Sequence, residues 1–157
     1  MVLGIRGMPN VQGGIETHAE QLYLRLGALG CQVEALVRSP FVPSDTRSHG
    51  PIRIRRVWSP RRAGVEAFLH SLIGVAYAGI ARPDILHIHG IGPAIVTPIA
   101  RLLGLRVVVT HHTQDYKREK WGPFGRWVLR LGERVGMRYS HARIAISKSI
   151  AELVLAQ

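Results

Sequence analysis

The residues of this chain best suited to chemistry are its clustered histidines and one run of glycines. His87 and His89 stand two apart in Asp84-Ile-Leu-His-Ile-His89, so on a strand their rings point to one face. His111 and His112 close a second apolar run, Leu105 to Thr110, and Asp115 follows. Imidazoles at converging strand ends support two chemistries. With a carboxylate they can ligate zinc. As a polar wall they can exchange a proton or a hydrogen bond with a substrate hydroxyl or phosphate. A histidine satisfied by backbone carbonyls does neither, and one of His87 and His89 is expected to be of that kind. His18 and His70 are expected to be structural or exposed.

Gly7, Gly13 and Gly14 lie in the segment from Gly7 to Gly14, which joins a short apolar run to a helix. Glycines let backbone approach a phosphate, and a helix start adds free N–H groups and partial positive charge. The spacing is not G-x-G-x-x-G and no Gly-Lys-Ser/Thr follows, so neither the dinucleotide fingerprint nor the P-loop is present. Arg38 ends the second apolar run, where a NAD site would place an acid. An anion cradle and a plain turn both remain open.

A third feature is a row of arginines, Arg126, Arg130, Arg134 and Arg138, spaced by four on one helix. Like charges at that spacing repel, by about 0.2–0.5 kcal/mol per pair. Glu133 is the local relief, and Phe124, Val128, Leu131 and Val135 read as the neighbouring apolar stripe. Lys117, Arg118 and Lys120 precede the helix, and Trp121 and Trp127 bracket its start. Basic residues beside interfacial aromatics suit an acidic membrane surface. A solvated outer face accounts for them equally well. Nucleic acid is not expected, because no stacking platform or recognition motif accompanies the charge.

The elements that must position these groups follow from periodicity. Val2 to Arg6 reads as a buried strand. A helix begins near Ile15 on the stripe Ile15, Ala19, Leu22, Leu26 and Leu29, and Gly30 ends it. Cys31 to Val37 is the next strand, with Cys31 as a small core residue. Ser39 to Pro51 is a loop. Ile52-Arg-Ile-Arg55 alternates, placing Ile52 and Ile54 inward. Val65 to Ala81 is a helix, Asp84 to His89 a strand, and Pro93 to Leu103 a helix ended by Gly104. Leu105 to Thr110 is a Val-rich strand of the kind buried on both faces. Phe124 to Tyr139 is a helix, Ala142 to Ile146 a strand, and a last helix starts at Ser147. This alternation predicts an α/β fold, a Rossmann-like, doubly wound parallel sheet. Its ligand would sit at the carboxyl ends of the strands, near Arg6, His89 and Thr110.

Composition agrees with one folded domain. The chain has 157 residues, 46% hydrophobic and 20% charged, which excludes disorder as the default. Lys and Arg number 21 against 10 acidic residues, a net charge of +11 that favours anionic partners. The absence of a leader pattern and of a spanning apolar run makes a cytoplasmic location the expectation, with peripheral contact to the inner face of the plasma membrane beside it.

The ordered set of motifs resembles the GT4 family of retaining glycosyltransferases. The resemblance rests on Gly4 to Thr17, on Pro83-Asp-Ile-Leu-His-Ile-His-Gly90 and on Val108-Val-Thr-His-His112. Asp115-Tyr116, Lys120-Trp-Gly122 and Ile144-Ala-Ile-Ser-Lys148 complete it. It implies the first half of a GT-B fold, with residues 1–157 as a single acceptor-side N-terminal domain. The C-terminal donor-binding domain would be absent from the chain and supplied by a further domain or partner chain. Sugar would pass from a nucleotide-diphosphate sugar to a hydroxyl of a glycan or lipid-linked acceptor, in bacterial glycan or glycolipid synthesis, with no metal or other cofactor. By the same resemblance His112 is the active-site histidine, and Gly13 and Gly14 lie against the donor diphosphate. Glu16, His89, His111 and Asp115 line the cleft. The isolated chain is expected to be inactive. Two other classes stand beside this: a non-catalytic anion- or membrane-binding module, and an NAD(P)-binding domain.

Overall fold

The computed structural model describes residues 1–62 and 64–155; the expected domain boundary at Gln157 lies outside them. The strands are β1 (Val2–Leu3), β2 (Val33–Arg38), β3 (Ser48–His49), β4 (Ile52–Val57), β5 (Leu86–His89), β6 (Val107–His111) and β7 (Ala142–Ala145). The helices are α1 (Gly14–Ala28), α2 (Val65–Ala81), α3 (Thr97–Leu102), α4 (Pro123–Tyr139) and α5 (Lys148–Leu155). The strands form one sheet in the order β3-β4-β2-β1-β5-β6-β7. All neighbours pair parallel except β3 with β4. Without β3, this is the order of a Rossmann-like sheet, whose winding reverses between β1 and β5.

Strand alternation sorts the core into two layers. Val2, Ala35, Val37, Ile52 and Ile54 pack with Ala19 and Tyr23 of α1. Leu3, Leu36, Ile88 and Val109 pack with residues of α2, α3, α4 and α5. The sheet is therefore covered on both faces, as the expected fold requires. Among the described residues no helix is long and apolar enough to cross a membrane.

Several boundaries differ from the sequence reading. The segment 39–51 holds a 3₁₀ turn, Ser39–Phe41, and the short antiparallel β3. Cys31 is exposed ahead of β2 rather than in the core. The chain turns there because α1 closes with paired bonds, Gly30 N–H to Gly27 O at 3.0 Å and Cys31 N–H to Leu26 O at 3.0 Å. The helix expected from Pro93 begins as a 3₁₀ turn, Pro93–Val96, and becomes α-helical at Thr97. Pro98 explains the change, because it has no N–H to donate to the carbonyl four residues back.

The largest revision concerns α4. Its buried face is Leu129, Gly132, Glu133, Gly136 and Met137. Phe124 is exposed, and Val128, Leu131 and Val135 are only half-buried. The helix seats through its glycines. A Cβ on Gly132 would overlap the Ile91 carbonyl oxygen, and one on Gly136 would overlap the Ala94 side chain. Glycine face, not aliphatic face, is what meets the turn at Pro93–Val96.

Gly132→Ala tests that seat. Alanine is the better helix former by about 1 kcal/mol, yet its methyl would meet backbone that cannot rotate away. We expect a net loss of about 1–3 kcal/mol in denaturant unfolding. Gly14→Ala, with open space at its Cβ, should leave the midpoint unchanged or raise it. A Gly132→Ala midpoint at or above the parent would refute this packing.

Candidate functional site

The register of β5 against β6 decides which histidines meet. His87 pairs with Val108 and His89 with Thr110, while Val2 of β1 pairs with His87. Paired residues share a face. His87, His89 and Thr110 therefore lie on the α1 face with Val2, and Ile88, Val109 and His111 lie on the other. His112, one residue beyond β6, returns to the α1 face.

Side-chain contacts follow this parity. His89 Nδ1 lies 3.0 Å from His112 Nε2. The Tyr23 hydroxyl, from α1, sits 2.5 Å from His89 Nε2 and 2.8 Å from His87 Nδ1. His87 Nε2 lies 2.7 Å from Thr110 Oγ1. These bonds form one chain, Thr110–His87–Tyr23–His89–His112, that can be satisfied with its protons running either way. His18, one turn into α1, sets its ring edge-on to His112 at 5.0 Å between centroids and is more exposed than His89 or His112. His111 is fully buried and its Nε2 lies 2.6 Å from Glu133 Oε1. Glu133 thus turns inward from α4 rather than relieving the arginine row.

Burial sets the protonation of the cluster. It pushes His112 down to about 4, helped by the charges of His18 and His111 and opposed by Glu16. It pushes His87 down to about 4, helped by the N-terminus, His112 and His18. His89 is held well below the usual imidazole range by burial and the neighbouring histidines. At neutral pH the wall consists of uncharged imidazoles. Burial likewise pushes Tyr23 up, so its hydroxyl keeps its proton.

The glycine loop lies at the same end of the sheet. Gly13 precedes α1 with φ 152°, and a Cβ there would overlap the Glu16 carboxylate and the Arg6 guanidinium. Arg6 braces the loop. Its Nε and backbone N–H lie 3.1 Å from Glu16 Oε1, its Nη2 lies 3.2 Å from Oε2, and Nη2 also donates to the Gln12 carbonyl at 2.5 Å. Burial raises the Glu16 carboxyl, but the bonds from Arg6 outweigh it and the net shift is downward. Glu16 therefore presents its carboxylate to Arg6 rather than to open solvent. Gly14 is exposed with nothing near its Cβ position. Because His18 rises from the same helix one turn later and touches His112, Gly14 and His112 stand on the same side of the molecule.

The remaining candidates lie apart from this cluster. Asp115 begins a 3₁₀ turn, Asp115–Lys117, and pairs with Arg118 at 3.0 Å. Its carboxyl is raised by burial, against the pull of Arg118 and Lys120. Arg126, Arg130, Arg134 and Arg138 are all exposed on α4. The last three line a groove with Tyr116, Glu133, Met137 and Arg143.

The sheet order and the loop-to-helix junction at its reversal point place the chain among the Rossmann-like folds, and comparison with known families narrows that. Residues 13–157 match the glycosyl transferase 4-like domain. The chain belongs to that family. None of the curated proteins compared matches it. The match on this glycosyl transferase 4-like domain starts at the glycine loop and runs through both histidine pairs. It thus spans the residues that the structure gathers at the carboxyl ends of β5 and β6.

His18 was expected to be structural or exposed, and Tyr23 and Arg6 were not singled out from sequence. Tyr23 lies on the inner side of α1, four residues after Ala19, and His18 lies at the edge of that face, one residue before it. Glu16, Ala19 and Tyr23 are spaced three and four, a stripe the aliphatic pattern of α1 obscured. Arg6 carried no local signal, since its partner lies ten residues away.

The neutral imidazoles give a pH dependence. A histidine whose folded pKa lies below its unfolded value of about 6.5 contributes stability that is whole above pH 6.5. That contribution is lost as pH falls toward the folded value, because the unfolded chain takes up protons the native state refuses. His87 and His112 (about 4) and His70 (about 3, from burial and the Arg38 charge) all act in this direction. Denaturant midpoints should therefore fall steadily from pH 6.5 to 4.5, before Glu16 titrates. A flat midpoint across that window would contradict the buried, neutral cluster.

Proposed function

We propose that this domain is the acceptor-side, N-terminal half of a retaining glycosyltransferase that moves a sugar from a nucleotide-diphosphate sugar to an acceptor hydroxyl. Family membership supports the transferase class. The observation that carries the reading further is the meeting of two features at the winding reversal. The α1 start, with Gly13 and Gly14, and the β6 end, with His112, stand on one side of the sheet. In sheets of this order ligands sit outside the strand ends at that point.

In this reading the free N–H groups at the start of α1 face the donor diphosphate, where charge builds as the sugar leaves. His112 offers a neutral ring nitrogen to a hydroxyl of the transferred sugar or the acceptor. His89 holds its ring through Nε2, and Tyr23 holds His89 in turn. A C-terminal donor domain, on the same chain or a partner, closes the other wall. His111 holds β6 to α4 through Glu133 and does not reach substrate.

The test is a pair of alanine variants in the enzyme with its donor domain. His112→Ala should lower kcat by about 10²–10³-fold, the range for loss of one donor that acts in the transition state, with kcat/KM falling alongside. Its thermal melt should stay close to the parent. His111→Ala should lose stability first, because it leaves the Glu133 carboxylate buried without its partner. Parent-like turnover in His112→Ala with a large loss in well-folded His111→Ala would overturn the assignment.

A further inference from the structure

The resemblance leads one to expect no metal, yet the histidine cluster has the form of a metal site. One ring nitrogen from each of His18, His89 and His112 lies within 4.8 Å of the others. The three arrive from separate elements, α1, the end of β5 and the residue after β6. The tightest pair, His89 Nδ1 and His112 Nε2, is 3.0 Å apart. Tetrahedral zinc with Zn–N bonds of about 2.0–2.1 Å spaces its nitrogens about 3.3 Å apart. The pair would open by a few tenths of an ångström, and the His18 side chain, the least buried of the three, would swing inward.

The surrounding bonds suit ligation. A metal-bound histidine usually gives its other ring N–H to an oxygen that fixes its orientation. The Tyr23 oxygen stands 2.5 Å from His89 Nε2 and can take that proton, passing its own to His87 Nδ1. His87 then donates from Nε2 to Thr110 Oγ1 at 2.7 Å. With the chain running this way the lone pair of His89 is on Nδ1, facing His112 and His18, and His112 frees its own Nε2 lone pair by carrying its proton on Nδ1.

We propose that His18, His89 and His112 form a binding site for Zn²⁺, with the fourth coordination position left to water or an oxygen ligand. The ion takes the His112 Nε2 lone pair, the nitrogen that faces His89, and leaves the Nδ1 side of the ring for a sugar hydroxyl. The site stands on geometry and does not require the sugar-transfer reading.

The experiment uses the untagged chain, stripped with chelator and titrated with Zn²⁺ against a chromophoric competitor. One equivalent should bind with a Kd of about 1 µM or tighter, and the melting temperature should rise with Zn²⁺. His18→Ala and His112→Ala should each weaken binding by at least about tenfold, while His49→Ala, on β3 and outside the cluster, should not. His18→Ala removes a partly solvent-facing side chain, so it keeps the comparison valid if His112→Ala is unstable. Co²⁺ should give the visible absorption of a tetrahedral site in the parent and lose it in His18→Ala. Absence of stoichiometric binding, or binding that survives His18→Ala, would overturn the proposal.

Discussion

The site depends on the register of β5 against β6. Parallel pairing of His87 with Val108 and His89 with Thr110 fixes the parity of everything that follows. A strand sends alternate side chains to opposite faces, so a slip of one residue would exchange His111 and His112. Pairing of Val2 with His87 ties the same parity to β1, and through β1 to the α1 face. The buried His111–Glu133 contact locks it from the other side by joining β6 to α4. Adjacent and chemically identical residues thereby acquire different work. One is sealed against a carboxylate, the other joins a wall of imidazoles.

The glycine loop is constrained by a second interaction, the Arg6–Glu16 pair. Both charges are satisfied within the loop, by the backbone N–H of Arg6, the Gln12 carbonyl and each other. This holds the start of α1 beside β1 without an external ligand. The N-cap residue, Gly13, has no side chain to bond the first N–H groups of α1, and of these the Glu16 carboxylate draws on its own. Five of the 21 basic residues, Arg126, Arg130, Arg134, Arg138 and Arg143, gather on α4 and at the groove beside it.

Much of the fold was legible in the sequence. Val65–Ala81 formed as a helix with the expected ends, and Ile52 and Ile54 face inward from β4 as their alternation requires. The misses have local causes. Pro98 forced a 3₁₀ start where periodicity suggested a continuous helix. On α4 the aliphatic residues drew the eye to the wrong face, because close backbone approach is made by glycines, which carry no hydropathy signal. For the site, the shared face of His87 and His89 was legible because it follows from strand period alone. The separation of His111 from His112 was not, because it needs the register of a partner strand. Tyr23 and the contact of His18 with His112 were not legible for the same reason: their place against the strand ends is a tertiary fact, and periodicity on α1 favours its aliphatic stripe.

The central claim is that His112 belongs to a buried chain of uncharged imidazoles running through His89, Tyr23 and His87. Side-chain ¹H–¹⁵N correlation spectra of the histidine rings, assigned by single substitutions and recorded at pH 5.5, address it most directly. The ring nitrogens of His87, His89 and His112 should keep the distinct protonated and unprotonated shifts of neutral tautomers, as burial dictates for His87 and His112, held down to about 4, and for His89, held well below the usual imidazole range. An imidazolium signature for His112 at that pH would place it outside the cluster and contradict the account.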